Sequence, residues 1–175
     1  MSLARFGIST MLLLSILISG GPACAQNASE YKLKAAFLYN FTLYTEWPEH
    51  VADDFMLCVY GDSLFEDHLE PLQGKTVNQR TFRIDYRDEA NSLKNCQLVF
   101  LSQSQRRNVA RVVEKLNGLP ILLVSDIEDS TDDGVMISMF ESDGRIAFKA
   151  NLLAAERCGL KLSSKMLRLA SEVIQ

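Results

Sequence analysis

The sequence predicts a single α/β domain built on a mixed, mainly parallel sheet with helices on both faces. Short apolar runs bounded by turn residues, at positions 55–61, 97–102 and 120–126, alternate with helical patterns. Such runs are typical of strands buried on both faces of a parallel sheet. A later Asp143-Gly144 pair between two strand-like runs predicts a hairpin, which adds antiparallel strands to the sheet.

The remaining elements follow in chain order. The stretch "KAAFLYNFTLYTEWPE" belongs to a predicted helix that is capped by Ser29 or Asn27 and runs to about Trp47, where Pro48 stops it. The patterns after it predict a short helix over 63–72, a half-exposed strand over 80–86, an amphipathic helix over 103–118 and two short C-terminal helices capped by Asn151 and Ser163.

The first residues predict export. Arg5 precedes an apolar run that is too short to span a bilayer, and Ala23-Cys24-Ala25 is a small-x-small cleavage pattern. We therefore assign residues 1–25 to a signal peptide cut after Ala25, and residues 26–175 to one domain. Acylation of Cys24 is the alternative, but the residues before it make a poor lipoprotein motif.

Charge and cysteine content narrow the function classes. The formal net charge is −4 and no run of Lys or Arg occurs, so nucleic acid is not an expected partner. Three cysteines remain after cleavage, no CxxC motif occurs, and the chain has 2 histidines, so neither a metal site nor a cofactor is expected. We predict a Cys58–Cys96 disulfide between two strand-like runs, which leaves Cys158 unpaired.

The aromatic helix raises the question of which side faces the core. Helical spacing puts one broad apolar face inward, and this predicted inner face comprises Leu33, Ala36, Phe37, Phe41, Leu43, Tyr44 and Trp47. Asn40 lies within that face, which predicts a buried hydrogen-bond hub. Tyr31, Leu38 and Tyr39 lie on the opposite side, and as exposed residues they would be candidates for contact with a partner.

Two motifs suggest chemistry, but each is incomplete. "GDSL" at 61–64 matches the nucleophile motif of GDSL esterases, yet no histidine follows His68 to serve Ser63 as a base. The acidic loop over 126–134 half-resembles a calcium loop, but Phe140 stands where a bidentate Glu is required. With no acid, base and nucleophile set, we expect a protein that is not an enzyme.

The chain resembles the YfiR-like periplasmic proteins over nearly all of residues 26–175. The resemblance rests on "YKLKAAFLYNFTLYTEWPE", "LCVYGDSLF", "CQLVFLS", "ILLVSD" and "IAFKANLLAAERCGLKLSSKMLRLA" in that order. It implies a periplasmic regulator that binds and restrains the periplasmic part of an inner-membrane diguanylate cyclase, in control of cyclic-di-GMP and biofilm formation. It also implies homodimerisation and an outer-membrane lipoprotein that sequesters the regulator. The Cys58–Cys96 pair matches a disulfide of that family, whereas a second family disulfide has no counterpart here.

Another class of function is open at this point. A small-ligand sensor would bind its ligand beside the carboxyl ends of the parallel strands, where α/β sheets of this kind hold ligands.

Overall fold

The computed structural model describes residues 23–48 and 54–175, and it contains the expected alternation of strands and helices. The helices are α1 (Ala23–Leu43), α2 (Val109–Leu116), α3 (Leu152–Arg157) and α4 (Ser164–Leu167). The strands are β1 (Thr45–Glu46), β2 (Asp54–Tyr60), β3 (Thr76–Val77), β4 (Arg80–Arg87), β5 (Leu98–Leu101), β6 (Leu122–Ser125), β7 (Ile137–Ser142), β8 (Arg145–Asn151), β9 (Lys161–Leu162) and β10 (Glu172–Ile174). Three 3-10 helices cover Glu70–Leu72, Ala90–Asn95 and Gln103–Asn108.

The main sheet has eight strands in the order β10-β8-β7-β6-β5-β2-β4-β3. Strand β2 pairs in parallel with both β4 and β5, so these two strands lie on opposite sides of β2. The mixed α/β architecture is confirmed. The expectation of a mainly parallel sheet is not borne out, because β3/β4, β7/β8 and the separate β1/β9 pair are antiparallel.

Helices cover both faces of the sheet, as predicted. Successive residues of a strand point to opposite faces, so in β5 Leu98 and Phe100 join the core beneath α1. Val99 and Leu101 join a second core beneath α2. The two faces of the sheet therefore bury separate hydrophobic clusters.

Four predicted helices differ from those observed. The one expected over 103–118 is a 3-10 helix over Gln103–Asn108 followed by α2. The chain leaves α1 at Leu43 because Thr45 pairs with Leu162, which requires an extended backbone. The segment 63–72 forms turns and one 3-10 helix instead of an α-helix. The last predicted helix is a single turn, and Val173 lies in β10, paired in parallel with β8.

The hairpin and the two C-terminal caps agree with the prediction. Asp143 and Gly144 both have positive φ, 51° and 73°, which is the turn geometry that Asp-Gly favours between antiparallel strands. The side chains of Asn151 and Ser163 accept hydrogen bonds from Ala154 N and Met166 N at the starts of α3 and α4.

The predicted disulfide is present. Cys58 of β2 is bonded to Cys96, which directly precedes Gln97 and β5, and the two Cα atoms are 6.0 Å apart. Both cysteines are buried in the core beneath α2, and Cys158 is free and buried. The bond ties the first parallel strand to its neighbour.

The predicted signal peptide lies mostly outside the described residues, which begin at Ala23. Its cleavage after Ala25 therefore stays a prediction, as does the domain boundary at residue 26. Within the described part of the chain, no helix combines the length and apolar character needed to cross a bilayer.

Removing the disulfide should lower stability substantially. For the Cys58→Ala/Cys96→Ala variant we expect the free energy of unfolding to fall by about 2–5 kcal/mol, because the bridge restricts the unfolded chain. Urea denaturation of the oxidised protein measures this change. Cys158→Ala is the matched control, and it should keep the wild type's sensitivity to a reducing agent. A non-reducing peptide map that places Cys158 in the bridge would refute the assignment.

Candidate functional site

A buried ion pair fastens α1 to the sheet. Lys34 Nζ lies 2.8 Å from Asp126 Oδ2 and 2.7 Å from Glu30 Oε1. Tyr31 Oη donates to the same Asp126 oxygen at 2.6 Å. Lys34 Nζ also lies 4.2 Å from the centroid of the Tyr31 ring. Four side chains thus form one cluster between the helix and the carboxyl end of β6.

The Lys34–Asp126 pair at the centre of the cluster is almost completely removed from water. The side chain of Asp126 is 0% exposed and that of Lys34 is 2% exposed. Burial raises the pKa of Tyr31 far above its ordinary value, and the hydrogen bond to the Asp126 carboxylate raises it further. The phenol therefore stays protonated and acts as a donor. Because desolvated charges are stable only with well-placed partners, this cluster fixes which side of α1 faces the sheet.

Asp126 is held in place by the strand before it. The hydroxyl of Ser125 donates to Leu101 O and accepts from Ile127 N, so the chain turns sharply at the end of β6. Gln103 Nε2 donates to Asp126 O at 3.3 Å. The carboxylate is thereby directed at α1.

The helix is rotated relative to the orientation expected from its sequence. Tyr31 is 5% exposed and Leu38 is 0% exposed, so the prediction that they face a partner is wrong. Asn40 is exposed, so its prediction as a buried hydrogen-bond hub is also wrong. The physical reason is the cluster, since Tyr31 and Lys34 must face Asp126 and thereby turn Asn40 to solvent. The buried face of α1 consists of Tyr31, Lys34, Ala35, Leu38, Phe41 and Thr42.

Tyr39, the third predicted contact residue, is half-buried. Its ring packs edge-on against Phe82 at 5.8 Å between centroids. Its hydroxyl donates to Thr76 O at 3.3 Å. This side chain mainly joins α1 to β3 and β4.

The rotation leaves an apolar surface in water. Five exposed residues with helical spacing form it, and they are called the outer face of α1: Leu33, Ala36, Asn40, Leu43 and Tyr44. Leu33, Leu43 and Tyr44 are 45%, 44% and 40% exposed. Adjacent exposed apolar side chains on a helix are typical of a protein-binding surface.

At the carboxyl edge of the sheet, which is the position expected for a small-ligand site, the loops after the strands lie close together. Gly61 has φ of 95°, and a Cβ there would lie 2.5 Å from Ser102 Oγ and 2.6 Å from Ser104 Oγ. Ser104 Oγ also accepts from Asp62 N at 2.9 Å. The loops after β2 and β5 therefore pack against each other. The Asp126 carboxylate, at the end of β6, is bonded to Tyr31 and Lys34 of α1.

The two incomplete motifs have structural roles. Ser63 Oγ accepts a hydrogen bond from Phe65 N within the turn after β2, while His50 lies outside the described residues. In the acidic loop, Thr131 O accepts from Asn151 Nδ2, and Asp129 pairs with Lys149 at 3.0 Å. Among the described residues, no cluster of three or more His, Cys, Asp or Glu side chains could hold a metal ion.

Sequence reasoning missed Lys34 and Asp126. Two signals were available, since Glu30 and Lys34 have the i, i+4 spacing of an ion pair and Asp126 directly follows a buried strand. Their pairing links residues far apart in the chain and required the fold.

Removing one partner of the buried pair should destabilise the protein strongly. For Lys34→Met and for Asp126→Asn we expect a loss of about 3–5 kcal/mol, because each leaves a buried polar group without its partner. The double variant should lose less than the sum of the two, and urea denaturation of all three tests this coupling. Lys149→Met is the control, since it removes a lysine whose ion-pair partners, Asp129 and Glu172, are solvent-exposed, and it should leave stability close to that of wild type. Strict additivity of the two single losses would refute the coupling.

Comparisons with known proteins agree with this architecture. A solved structure of a conserved domain protein from Vibrio cholerae O1 biovar El Tor matches with a TM-score of 0.57 at 8% sequence identity. The match covers 82% of this chain and 60% of that one, so it shows a shared fold. A family model described as YfiR/HmsC-like matches residues 31–171, which include α1 from Tyr31 onward, Asp126 and both disulfide cysteines. This chain therefore belongs to the YfiR/HmsC-like family.

Proposed function

We propose that this protein is a periplasmic regulator that binds and restrains the periplasmic part of an inner-membrane diguanylate cyclase. The YfiR/HmsC-like family is known for periplasmic regulation of such cyclases, and membership in it supports the proposal most directly. Regulation of this kind is exerted by protein contact, so we propose no catalytic role for the chain.

The proposed binding site is the outer face of α1, and the exposure of its apolar side chains supports this assignment. Three of its side chains, Leu33, Leu43 and Tyr44, keep 40% or more of their surface exposed. The helix beneath them is fixed by Lys34, so the surface is preorganised and a partner need not order it. The site of contact is therefore this face, and not the three residues selected from the sequence.

Other features fit a protein exported to the periplasm. The Cys58–Cys96 disulfide is typical of an oxidising compartment. The predicted signal peptide over residues 1–25 would supply the export route. A homodimer and an outer-membrane lipoprotein are proposed as further partners, and both could use the same apolar face.

The proposal predicts a loss of regulation when a charge is placed on the outer face. In cells lacking the native gene, wild-type protein should lower cyclic-di-GMP, and Ala36→Glu should fail to do so. A carboxylate buried at an interface costs about 2 kcal/mol or more, which is roughly thirtyfold in Kd. Cyclic-di-GMP is measured in cell extracts, and protein amount and melting temperature are measured in parallel.

Ala110→Glu is the matched control, because Ala110 is an exposed alanine of α2 on the other side of the sheet. It should restore repression as well as wild type does. If deletion of the gene leaves cyclic-di-GMP unchanged in a strain that contains the cyclase, the proposed function is wrong. If Ala36→Glu represses normally, the function stands and the assigned surface is wrong.

A further inference from the structure

Strand β4 has an open edge next to a cleft. Its first half is covered, since Phe82 N donates to Lys75 O and Gly74 N donates to Phe82 O. Beyond Phe82, the register of β3 against β4 has ended, while β2 still pairs with β4 as far as Arg87. The second half of β4 is thus bonded on one side.

The backbone groups on this side can be assigned from strand alternation. Phe82 bonds outward, away from β2, so Ile84 and Tyr86 also present their N–H and C=O groups outward. The Ile84 N–H is capped by the Gln73 side chain, which accepts from it at 2.9 Å. This cap confirms the outward direction of Ile84, and it leaves Ile84 C=O and both groups of Tyr86 directed at the edge.

No described residue covers these groups. Tyr86 is 52% exposed, and the backbone hydrogen bonds found in turns and loops of the described chain do not include its N–H or C=O. Residues 49–53, which are outside the described part, lead into Asp54. Asp54 pairs with Thr81, at the opposite end of the strand from Tyr86.

An acidic cleft of about 430 Å³ lies along the open edge. Its lining comprises Glu66, Leu69, Glu70, Gln73, Ile84 and Tyr86. On the other face of the strand the charges compensate one another, since Arg83 lies 3.3 Å from Asp54 and Arg87 lies 2.6 Å from Asp85. The described ion pairs include neither Glu66 nor Glu70, so these two carboxylates give the cleft its charge.

From these observations we propose that the open edge of β4, Ile84–Tyr86, binds an extended basic segment of another protein by strand addition. The segment's backbone pairs with Ile84 C=O and with the N–H and C=O of Tyr86, as in other cases of added strands. Alternate side chains of the segment face the cleft, and these are its basic residues. Their charged ends face Glu66 and Glu70, and their aliphatic stems contact Leu69 and Ile84. This site is separate from the outer face of α1 and does not rest on the proposed function.

A synthetic peptide tests the site. A fluorescent Lys-Val-Lys-Val-Lys peptide with blocked ends should bind the purified chain, as followed by fluorescence anisotropy. The same peptide with N-methyl groups on alternate residues lacks the required donors and should not bind. Equal binding of both peptides would show simple charge attraction and would overturn strand addition, as would a lack of binding by the unmodified peptide.

Variants of the protein locate the contact. Glu66→Gln/Glu70→Gln should weaken binding about fivefold, because two exposed charge pairs are lost. Glu114→Gln, an exposed position on α2, is the control and should bind as wild type does. Tyr86→Pro removes the outward N–H without breaking a ladder bond to β2 and should abolish binding, whereas Tyr86→Val should retain it. If Tyr86→Pro does not fold, strand addition is tested by comparing the binding of the unmodified and the N-methylated peptide to the wild-type protein.

Sedimentation analysis without peptide tests the competing occupant. We expect the Tyr86→Pro variant to have the same oligomeric state as wild type. A wild-type dimer that Tyr86→Pro dissociates would show that a second copy of this chain occupies the edge, and it would overturn the proposal of a separate partner.

Discussion

The buried contact between Lys34 and Asp126 sets the orientation of α1, and the proposed binding surface depends on that orientation. The side chains of Lys34 and Asp126 are 2% and 0% exposed, so neither charge can be left unpaired. The helix therefore has one rotation in which Lys34 reaches Asp126 and Tyr31 donates to the same oxygen. All other consequences of the helix position, including its exposed side, follow from this requirement.

The two faces of the sheet differ in what they bury and in what they expose. The side beneath α2 holds the disulfide and a closed core, which stabilise the central strands. The side beneath α1 carries the buried ion pair, and the helix above it presents apolar groups to solvent. The open edge of β4 is a third region, where backbone groups and not side chains offer the main contacts. A regulator that acts by contact needs such surfaces on a rigid support, and the disulfide and ion pair provide that support.

Much of the fold could be predicted because it is recorded in local patterns. Buried strands appear as short apolar runs, the Asp143-Gly144 turn fixes the hairpin, and Asn151 and Ser163 begin helices. The face of α1 could not be predicted in the same way, because apolar residues occur on both sides of it. Leu33 and Leu43 lie outside and Leu38 and Phe41 lie inside, so hydrophobic spacing alone supports two rotations. The choice between them is made by a lysine whose partner lies in a distant loop. Likewise, the strand conformation of Thr45 and Val173 comes from pairing with remote segments, which overrides the helical tendency of the local sequence.

We propose that the outer face of α1, fixed by Lys34 and Asp126, contacts the membrane-bound cyclase. In-cell photo-crosslinking tests it most directly, with benzoylphenylalanine placed at Asn40 on that face and, in a second strain, at Ala110 on α2. The account predicts a covalent product with the diguanylate cyclase, identified by mass spectrometry, from position 40 and none from position 110. A cyclase product from position 110 alone would contradict the account.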